Sequence, residues 1–155
     1  MSEPEQAAIS RTRCRDIMTK DVKTATSANT LREVAVMMRD GDMGAVPVVG
    51  DGKLIGIVTD RDIVVRCVAE GRDTSAAISE AMSAKLFTVK PDDFVFEAIR
   101  MMGDKQVRRI PVVGDMGELA GIISMADIAL ETEDEIEIAE ALEDISSGAG
   151  FWGKR

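Results

Sequence analysis

An internal repeat constrains the fold of this chain more than any other feature of its sequence. The letters Pro-Val-Val-Gly-Asp occur at 47–51 and again at 111–115, and the same offset of 64 residues carries Met18 onto Met82. After the following turn the offset becomes 65, because the second turn has one additional residue. An insertion is tolerated best at a hairpin tip. Two copies of one structural unit are therefore expected.

Each copy is predicted to contain its elements in the order β-α-β-β-α. In the first copy, residues 45–49 and 53–59 form an apolar hairpin, and residues 60–70 form a helix. In the second copy, the hairpin is expected over residues 110–113 and 118–124. Interleaved strands and helices predict an α/β (α+β) fold, in which each sheet is covered by its own helices.

The first long helix of each copy carries an apolar face. These faces consist of Leu31, Val34, Ala35 and Met38 in copy one, and of Val95, Ala98, Ile99 and Met102 in copy two. Thr30 and Glu33 have the spacing of a capping box at the start of the first of these helices, and Gly41 is expected just past its end. The helix over 60–70 is expected to close at Gly71.

The chain of 155 residues is long enough for one domain with a buried core. It contains two cysteines, Cys14 and Cys67, and neither a secretory leader nor an apolar stretch of membrane-spanning length. These features predict a reduced, cytoplasmic protein without disulfides. Cys67 falls on an apolar helical face and is expected to be a small core residue.

The formal net charge of −9 is concentrated near the end of the chain. Residues 131–144 carry eight acidic side chains and no basic one, and Lys154 and Arg155 add two positive charges, which leaves −3 for residues 1–130. Proteins bind duplex nucleic acid through clustered Lys and Arg. A nucleic-acid partner is therefore not expected, whereas a small anionic ligand is compatible with local positive charge.

Two aspartates follow strand ends and enter the first turn of a helix. Asp62 lies three residues after Thr59, and Asp127 lies three residues after Ser124. A carboxylate in this position is able to accept hydrogen bonds from ribose hydroxyls. The same spacing fits a capping box, in which the hydroxyl and the carboxylate satisfy helix N–H groups. From spacing alone, the capping interpretation is favoured.

Arg108 and Arg109 are adjacent bases that precede the apolar Ile110 and Pro111. Guanidinium groups form bidentate hydrogen bonds with phosphate oxygens, so this pair is a candidate phosphate-binding site. The alternative is ordinary surface charge. Arg61 is a further basic candidate, which fits a helix-surface residue equally well.

The order of these features, present twice, resembles the cystathionine-β-synthase (CBS) domain. The resemblance rests on residues 17–19, 45–51 and 56–62 in the first copy and on residues 81–83, 107–113 and 121–128 in the second. It covers roughly residues 11–130. The chain is similar to stand-alone proteins with two CBS repeats.

The resemblance implies one compact module of two pseudo-symmetric repeats with two clefts. In this family the clefts often bind adenosine-containing ligands such as AMP, ADP, ATP, NAD or S-adenosylmethionine. Two modules often associate as a homodimer. The expected function is regulatory, with the bound nucleotide changing how the chain acts on a separate protein partner.

The resemblance also assigns residues to two ligand sites, each combining the aspartate of one copy with the residues before proline in the other. Site A consists of Thr59, Asp62, Phe87, Val107, Arg108 and Arg109, with Phe87 near the base. Site B consists of Lys23, Met43, Gly44, Ala45, Ser124 and Asp127. Gly44 and Ala45 occupy the place of the two arginines. Phosphorylated ligands are therefore expected to prefer site A.

The chain is expected to divide into five segments. These are a flexible start (1–10), repeat one (11–71), repeat two (72–130), an acidic helix (131–145) and a flexible tail (146–155). The acidic helix carries a narrow apolar stripe that ends at Ile145. The stripe fits either a docked terminal helix or a partner-binding or autoinhibitory segment. Phe151 and Trp152 in the tail fit either a partner anchor or a disordered end.

No enzymatic function is predicted. The chain has no His and no Tyr, no glycine-rich phosphate loop and no nucleophile beside a base. It also lacks a His or Cys cluster that would ligate a metal. The leading alternative to a nucleotide sensor is a ligand-free interaction module. In that case Asp62 and Asp127 are only caps, and the dimer surface and the tail recruit a partner.

Overall fold

The computed structural model of the chain describes residues 11–131 and 143–145. The segments predicted to be flexible, 1–10 and 146–155, lie outside the described residues, as do residues 132–142 of the predicted acidic helix. The chain forms two compact units. Unit 1 comprises the described parts of Met1–Asp21, Phe87–Asp115 and Ala120–Arg155, and unit 2 comprises Val22–Leu86 and Met116–Leu119.

Short helices and two hairpins make up the described elements. In chain order they are α1 (Cys14–Ile17), α2 (Leu31–Gly41), β1 (Ala45–Gly50), β2 (Lys53–Thr59), α3 (Asp60–Ile63), a π-helix (Val64–Val68), a 3₁₀ helix (Ile78–Glu80), α4 (Val95–Lys105), β3 (Arg109–Val113), β4 (Leu119–Ser124) and α5 (Met125–Glu131). The two predicted hairpins are therefore present, as β1–β2 and β3–β4.

Each hairpin is extended on both sides by single residues that pair with it. In unit 2, Ala25 pairs in parallel with Val48 of β1, and Ser83 pairs in antiparallel fashion with Ile57 of β2. In unit 1, Val89 pairs with Val112 of β3, and Thr19 pairs with Ile122 of β4. Thr19 belongs to the first copy in sequence yet flanks the hairpin of the second, whereas Ser83 belongs to the second copy and flanks the hairpin of the first. The units therefore exchange segments relative to the sequence repeats.

Helix α2 forms as the sequence predicts, with two corrections. The capping box is present, since the Glu33 N–H donates to Thr30 Oγ1 (3.1 Å) and the Thr30 N–H donates to Glu33 Oε1 (2.9 Å). Ala35 is exposed, so the buried face is narrower than predicted. Gly41 is the last helical residue, and the left-handed residue that ends the helix is Asp42, with φ of 49°. Aspartate is one of the few residues besides glycine that adopt this conformation readily.

The prediction of one continuous α-helix over residues 60–70 is wrong, because the segment contains two types of helix. It begins as α3 and continues as the π-helix, in which the Ala69 N–H donates to the Val64 carbonyl (2.9 Å). The predicted closure at Gly71 is correct. Gly71 has φ of 71°, and the Arg72 N–H donates to the Cys67 carbonyl (2.9 Å), which is the bond of a Schellman motif.

Each unit has its own apolar core. In unit 2, α2 and the hairpin enclose Val34, Val46, Val48, Val58, Cys67 and Ile78. In unit 1, α4 and α5 enclose Cys14, Val95, Met102, Ile110, Ile123 and Ile128. Cys67 is completely buried, which confirms its prediction as a core residue. Ile145, from the described end of the predicted acidic helix, packs against the unit 1 core.

Two glycines, Gly56 and Gly121, permit the edge residues to pair with the hairpins. A Cβ added at Gly121 would lie 2.6 Å from the Thr19 carbonyl oxygen and 2.9 Å from Met18 Sδ. A Cβ at Gly56 would lie 2.8 Å from Met82 Sδ. Real Cβ atoms do not approach backbone oxygens so closely, so the edge pairing of unit 1 requires a residue without a side chain.

We expect Gly121→Ala to lower the free energy of unfolding by about 1–3 kcal/mol, because the new methyl group forces Thr19 away from β4. Urea unfolding of the variant measures this loss. Gly50→Ala is the matched control, since its Cβ would contact only the Ile55 side chain, most closely the terminal Cδ1 at 3.2 Å. An equal loss in the two variants would contradict a specific role of Gly121 at the edge.

Candidate functional site

The corner between β2 and α3 in unit 2 holds the first predicted ligand carboxylate. The Asp62 N–H donates to Thr59 Oγ1 (3.1 Å), and the Thr59 N–H donates to Asp62 Oδ2 (2.9 Å). Both residues are half-buried. The capping box that the spacing predicts is therefore formed, and it fixes the position of the carboxylate at the strand end.

The corner between β4 and α5 in unit 1 has the same geometry. The Asp127 N–H donates to Ser124 Oγ (3.0 Å), and the Ser124 N–H donates to Asp127 Oδ2 (3.2 Å). These two residues are also half-buried. The internal repeat thus reproduces the corner with serine in place of threonine.

Capping by an acid at the third helical position is not special to these corners. The N–H groups of Arg13, Thr30 and Phe94 donate in the same way to Asp16, Glu33 and Glu97, at 3.0, 2.9 and 2.9 Å. The cap alone therefore does not identify a ligand site. It uses only one oxygen of each carboxylate, however, and within the described part of the chain the Oδ1 atoms of Asp62 and Asp127 accept no hydrogen bond. A cap and a ligand contact are compatible on one carboxylate.

In each unit, a backbone hydrogen bond joins the residue just before the hairpin to the corner where the next helix begins. The Asp60 N–H donates to the Gly44 carbonyl (3.0 Å), and the Met125 N–H donates to the Arg108 carbonyl (2.9 Å). The structure thus brings Gly44 to the Thr59 corner and Arg108 to the Ser124 corner. These ties were not predicted, because no local pattern in the sequence indicates them.

The predicted sites each draw on both units. Unit 2 contains Lys23, Met43, Gly44, Ala45, Thr59 and Asp62, and unit 1 contains Phe87, Val107, Arg108, Arg109, Ser124 and Asp127. Site A and site B, as combinations of these residues, stay predictions.

The cationic residues of the predicted sites differ in their surroundings. Arg108 and Arg109 are exposed, and within residues 11–131 and 143–145 neither forms an ion pair. Lys23 lies close enough to Asp40 to contribute to lowering the pKa of that carboxyl, although the hydrogen bond from Arg39 is the larger cause. Arg108 and Arg109 are therefore exposed cations that an anionic ligand is able to reach.

Phe87, predicted to lie near the base of a nucleotide, is half-buried and has a cation beside it. Lys105 Nζ, at the end of α4, lies 5.1 Å from the centre of the Phe87 ring. A cation over a ring face is attracted by the ring quadrupole. Lys105 was not predicted as a neighbour of Phe87, since the two residues are 18 positions apart and share no motif.

The thiols of the chain are poorly suited to nucleophilic chemistry. Cys14 and Cys67 are free and completely buried. Burial, together with the nearby charges of Asp93 and Glu97, raises the pKa of the Cys14 thiol to about 12. The reactive species of cysteine is the thiolate, so Cys14 is held in its unreactive form.

We expect neither thiol to react with a disulfide reagent such as DTNB in the native protein, whereas both react after unfolding in urea. With the pKa of Cys14 near 12, only about one thiol in ten thousand is ionised at pH 8, and burial prevents access to both. Absorbance of the released thiolate measures the reaction. Rapid labelling of the folded chain would contradict the buried placement of these residues.

Neither a metal-binding cluster nor a membrane-spanning helix occurs among the described residues. No group of three or more His, Cys, Asp or Glu side chains there is arranged to hold a metal ion. No helix among the described residues has both the length and the apolar character needed to span a bilayer.

Comparison with known proteins decides the family. The sequence profile of the CBS domain matches residues 14–68 and 78–133. The chain belongs to the CBS domain family. This confirms the predicted resemblance to stand-alone proteins with two CBS repeats, together with the α+β fold.

Small CBS proteins are among the relatives of the chain. Uncharacterized protein YlbB of Bacillus subtilis is 40% identical over 139 residues, covering 88% of this chain and 93% of that protein. Hypoxic response protein 1 of Mycobacterium tuberculosis is 38% identical over 120 residues, covering 76% of this chain and 83% of that protein.

Two solved structures are similar in fold to this chain. Hypoxic Response Protein I with two coordinated zinc ions has a TM-score of 0.71 at 38% identity, covering 77% of this chain and 98% of that one. The CBS domain pair of protein MJ0100, in complex with 5′-methylthioadenosine and S-adenosyl-L-methionine, has a TM-score of 0.70 at 29% identity. That match covers 77% of this chain and 94% of the other.

Proposed function

We propose that this chain is a regulatory CBS module that binds an adenosine-containing ligand through Asp62 and Asp127. One observation carries the proposal: each of these carboxylates is fixed by a cap that uses only Oδ2, at 2.9 and 3.2 Å. The remaining oxygen is suited to accept a ribose hydroxyl, and a fixed acceptor costs little ordering entropy on binding. The adenosine derivatives in the CBS pair of MJ0100 support this ligand class.

The two predicted sites differ in the cations that they offer. Site A combines Asp62 and Thr59 with Arg108 and Arg109, with Val107 and Phe87 beside the base. In site B the corresponding positions are Gly44 and Ala45. AMP, ADP, ATP and NAD carry phosphates, and a charge-assisted hydrogen bond to a guanidinium contributes about 1–3 kcal/mol. These ligands therefore favour site A, whereas site B fits ligands without phosphate.

Regulation in trans completes the proposal. Binding of the nucleotide changes the surface that the chain presents to a separate protein partner, and the module acts as a homodimer in the cytoplasm. The proposal assigns no catalytic role to the chain. Its support is that Cys14 is held as a thiol and that the sequence contains no His and no Tyr.

A second candidate function is a ligand-free interaction module. The observation that favours it is that Asp16, Glu33 and Glu97 form the same cap as Asp62, although no ligand is predicted at those helices. In this function, Asp62 and Asp127 serve only the helix starts. The dimer surface and the tail, including Phe151 and Trp152, recruit the partner.

The variant Asp62→Asn separates the two functions. Asparagine keeps a carbonyl oxygen for the Thr59 N–H but replaces the second acceptor with a donor and removes the charge. For the wild-type chain, a ligand at about a hundred times its Kd adds roughly 2.7 kcal/mol to the free energy of unfolding. We expect Asp62→Asn to retain most of its stability and to lose most of this gain at site A, as measured by thermal unfolding with AMP, ADP, ATP, NAD and S-adenosylmethionine.

Glu33→Gln is the matched control, because Glu33 caps α2 in the same unit and belongs to neither predicted site. This variant is expected to respond to the ligands as the wild type does. A flat response of the wild-type chain to every compound would favour the interaction module. Turnover of any compound that follows the protein through purification would instead indicate an enzyme.

The arginine pair is tested by Arg108→Ala. We expect the Kd for ATP to rise about 5- to 150-fold, equivalent to 1–3 kcal/mol, because a phosphate contact is lost. The Kd for 5′-methylthioadenosine, which has no phosphate, is expected to change little. Isothermal titration calorimetry measures both values. Arg32→Ala, at an exposed position of α2, is the control. Equal losses for the two ligands would contradict a phosphate-binding role of Arg108.

A further inference from the structure

The helix that follows Asp62 changes its hydrogen-bond register within unit 2. After the four residues of α3, the π-helix Val64–Val68 continues the chain, with the Ala69 N–H donating to the Val64 carbonyl at 2.9 Å. A π-turn accommodates one residue more than an α-turn, and such turns occur frequently at functional sites. The π-helix therefore sets the orientation of the remaining residues of this helical segment relative to Asp62.

The composition of the π-helix makes its register easy to change. Val64, Val65 and Val68 are 55%, 51% and 64% exposed, while Cys67 is completely buried. β-Branched side chains lose rotamer freedom in a helix, and exposed valines regain little of that free energy by burial. Segments with few buried apolar contacts have low local stability. The π and α registers of this segment are accordingly closer in free energy than they would be in the well-packed α2.

A closed chain of contacts connects the π-helix to the candidate ligand carboxylate. Arg66 Nη1 donates to the carbonyls of Ala81 and Met82, at 3.1 and 3.3 Å. The next residue, Ser83, exchanges two backbone hydrogen bonds with Ile57 of β2, at 2.9 and 3.0 Å. β2 ends at Thr59, which shares the capping box with Asp62. Because Arg66 holds the π-helix to β2 in this way, a displacement of Asp62 along α3 has to be taken up within the π-helix.

We infer that the π-helix is the element through which a ligand on Asp62 alters the surface of this chain. The inference rests on the proposed function, and it specifies how that site is regulated. A ribose hydroxyl on Asp62 Oδ1 pulls on a carboxylate that the cap holds through Oδ2, so the first turn of the helix moves with the carboxylate. Successive residues of an α-helix are rotated by about 100° about the helix axis, and a π-helix has a different rotation per residue. Conversion of the π-turn into an α-turn therefore changes the directions of the Val65 and Val68 side chains relative to the buried Cys67.

Hydrogen exchange of the full chain, followed by mass spectrometry with AMP, ATP and S-adenosylmethionine as probes, tests this inference. We expect a bound probe to change exchange of the amides in 64–72 by about threefold or more, while α2 is unaffected. Arg66→Gln removes the anchor on Ala81 and Met82. This variant is expected to bind the probe with similar affinity and to lose the exchange response.

Two further variants keep the test decisive. Arg72→Gln breaks the ion pair with Glu80, at 2.9 Å, at the end of the 3₁₀ helix that immediately precedes Ala81 and Met82. It is expected to retain the exchange response. Deletion of Val65 removes the additional residue of the π-turn. This deletion is expected to abolish the exchange response in a chain that still contains Arg66.

The outcomes distinguish the inference from the proposed function. A probe that stabilises the chain against thermal unfolding without any exchange response in 64–72 overturns the inference and leaves nucleotide binding intact. Stabilisation by none of the probes overturns both. Loss of the response in Arg72→Gln as well as in Arg66→Gln also overturns the inference, because general loosening of the segment would then explain the result.

Discussion

The reciprocal cap between a strand-end hydroxyl and an acid three residues later is the interaction on which the rest of the structure depends. In unit 2 it joins β2 to α3 through Thr59 and Asp62, and in unit 1 it joins β4 to α5 through Ser124 and Asp127. The cap fixes where each helix leaves its sheet. It also fixes one carboxylate oxygen and leaves the other to accept a further hydrogen bond. Fold and proposed function thus depend on the same four side chains.

Patterns confined to neighbouring residues were sufficient to predict much of this fold. The apolar faces of α2 and α4, both hairpins and the capping boxes follow from spacing within a few residues. The pairing of Thr19 with Ile122 was not predictable in this way, because it joins residues far apart in sequence. The π-helix was also missed, since Val64–Val68 satisfies an apolar helical pattern in either register. At the candidate site, both corners were predicted, whereas the ties from Gly44 and Arg108 depend on tertiary structure.

At the hydrogen bond between each hairpin and its following helix, the two copies share the backbone arrangement and differ in their side chains. Gly44 and Arg108 each accept a hydrogen bond from the first residue of the helix that follows their hairpin, at 3.0 and 2.9 Å. Because the carbonyl group makes this bond, the side chain at the position is unconstrained by it. Glycine in one copy and arginine in the other are therefore structurally equivalent. Positive charge at this position of the second copy alone is therefore compatible with the fold, and this charge is the basis of the proposed difference between the sites.

The exchange of edge residues between the copies affects how the chain folds during synthesis. Thr19 has no β-pairing partner until Ile122 has been synthesised. At typical rates of translation, the intervening residues, about 100 in number, take roughly 5–20 s to synthesise. Unit 2 lacks only the short segment Met116–Leu119 when residue 86 emerges, so most of it is able to assemble first. During this time Thr19 remains without its β-pairing partner. A cut between the two sequence copies would leave each half with an unpaired β-edge, which makes the halves prone to aggregate where the intact chain is not.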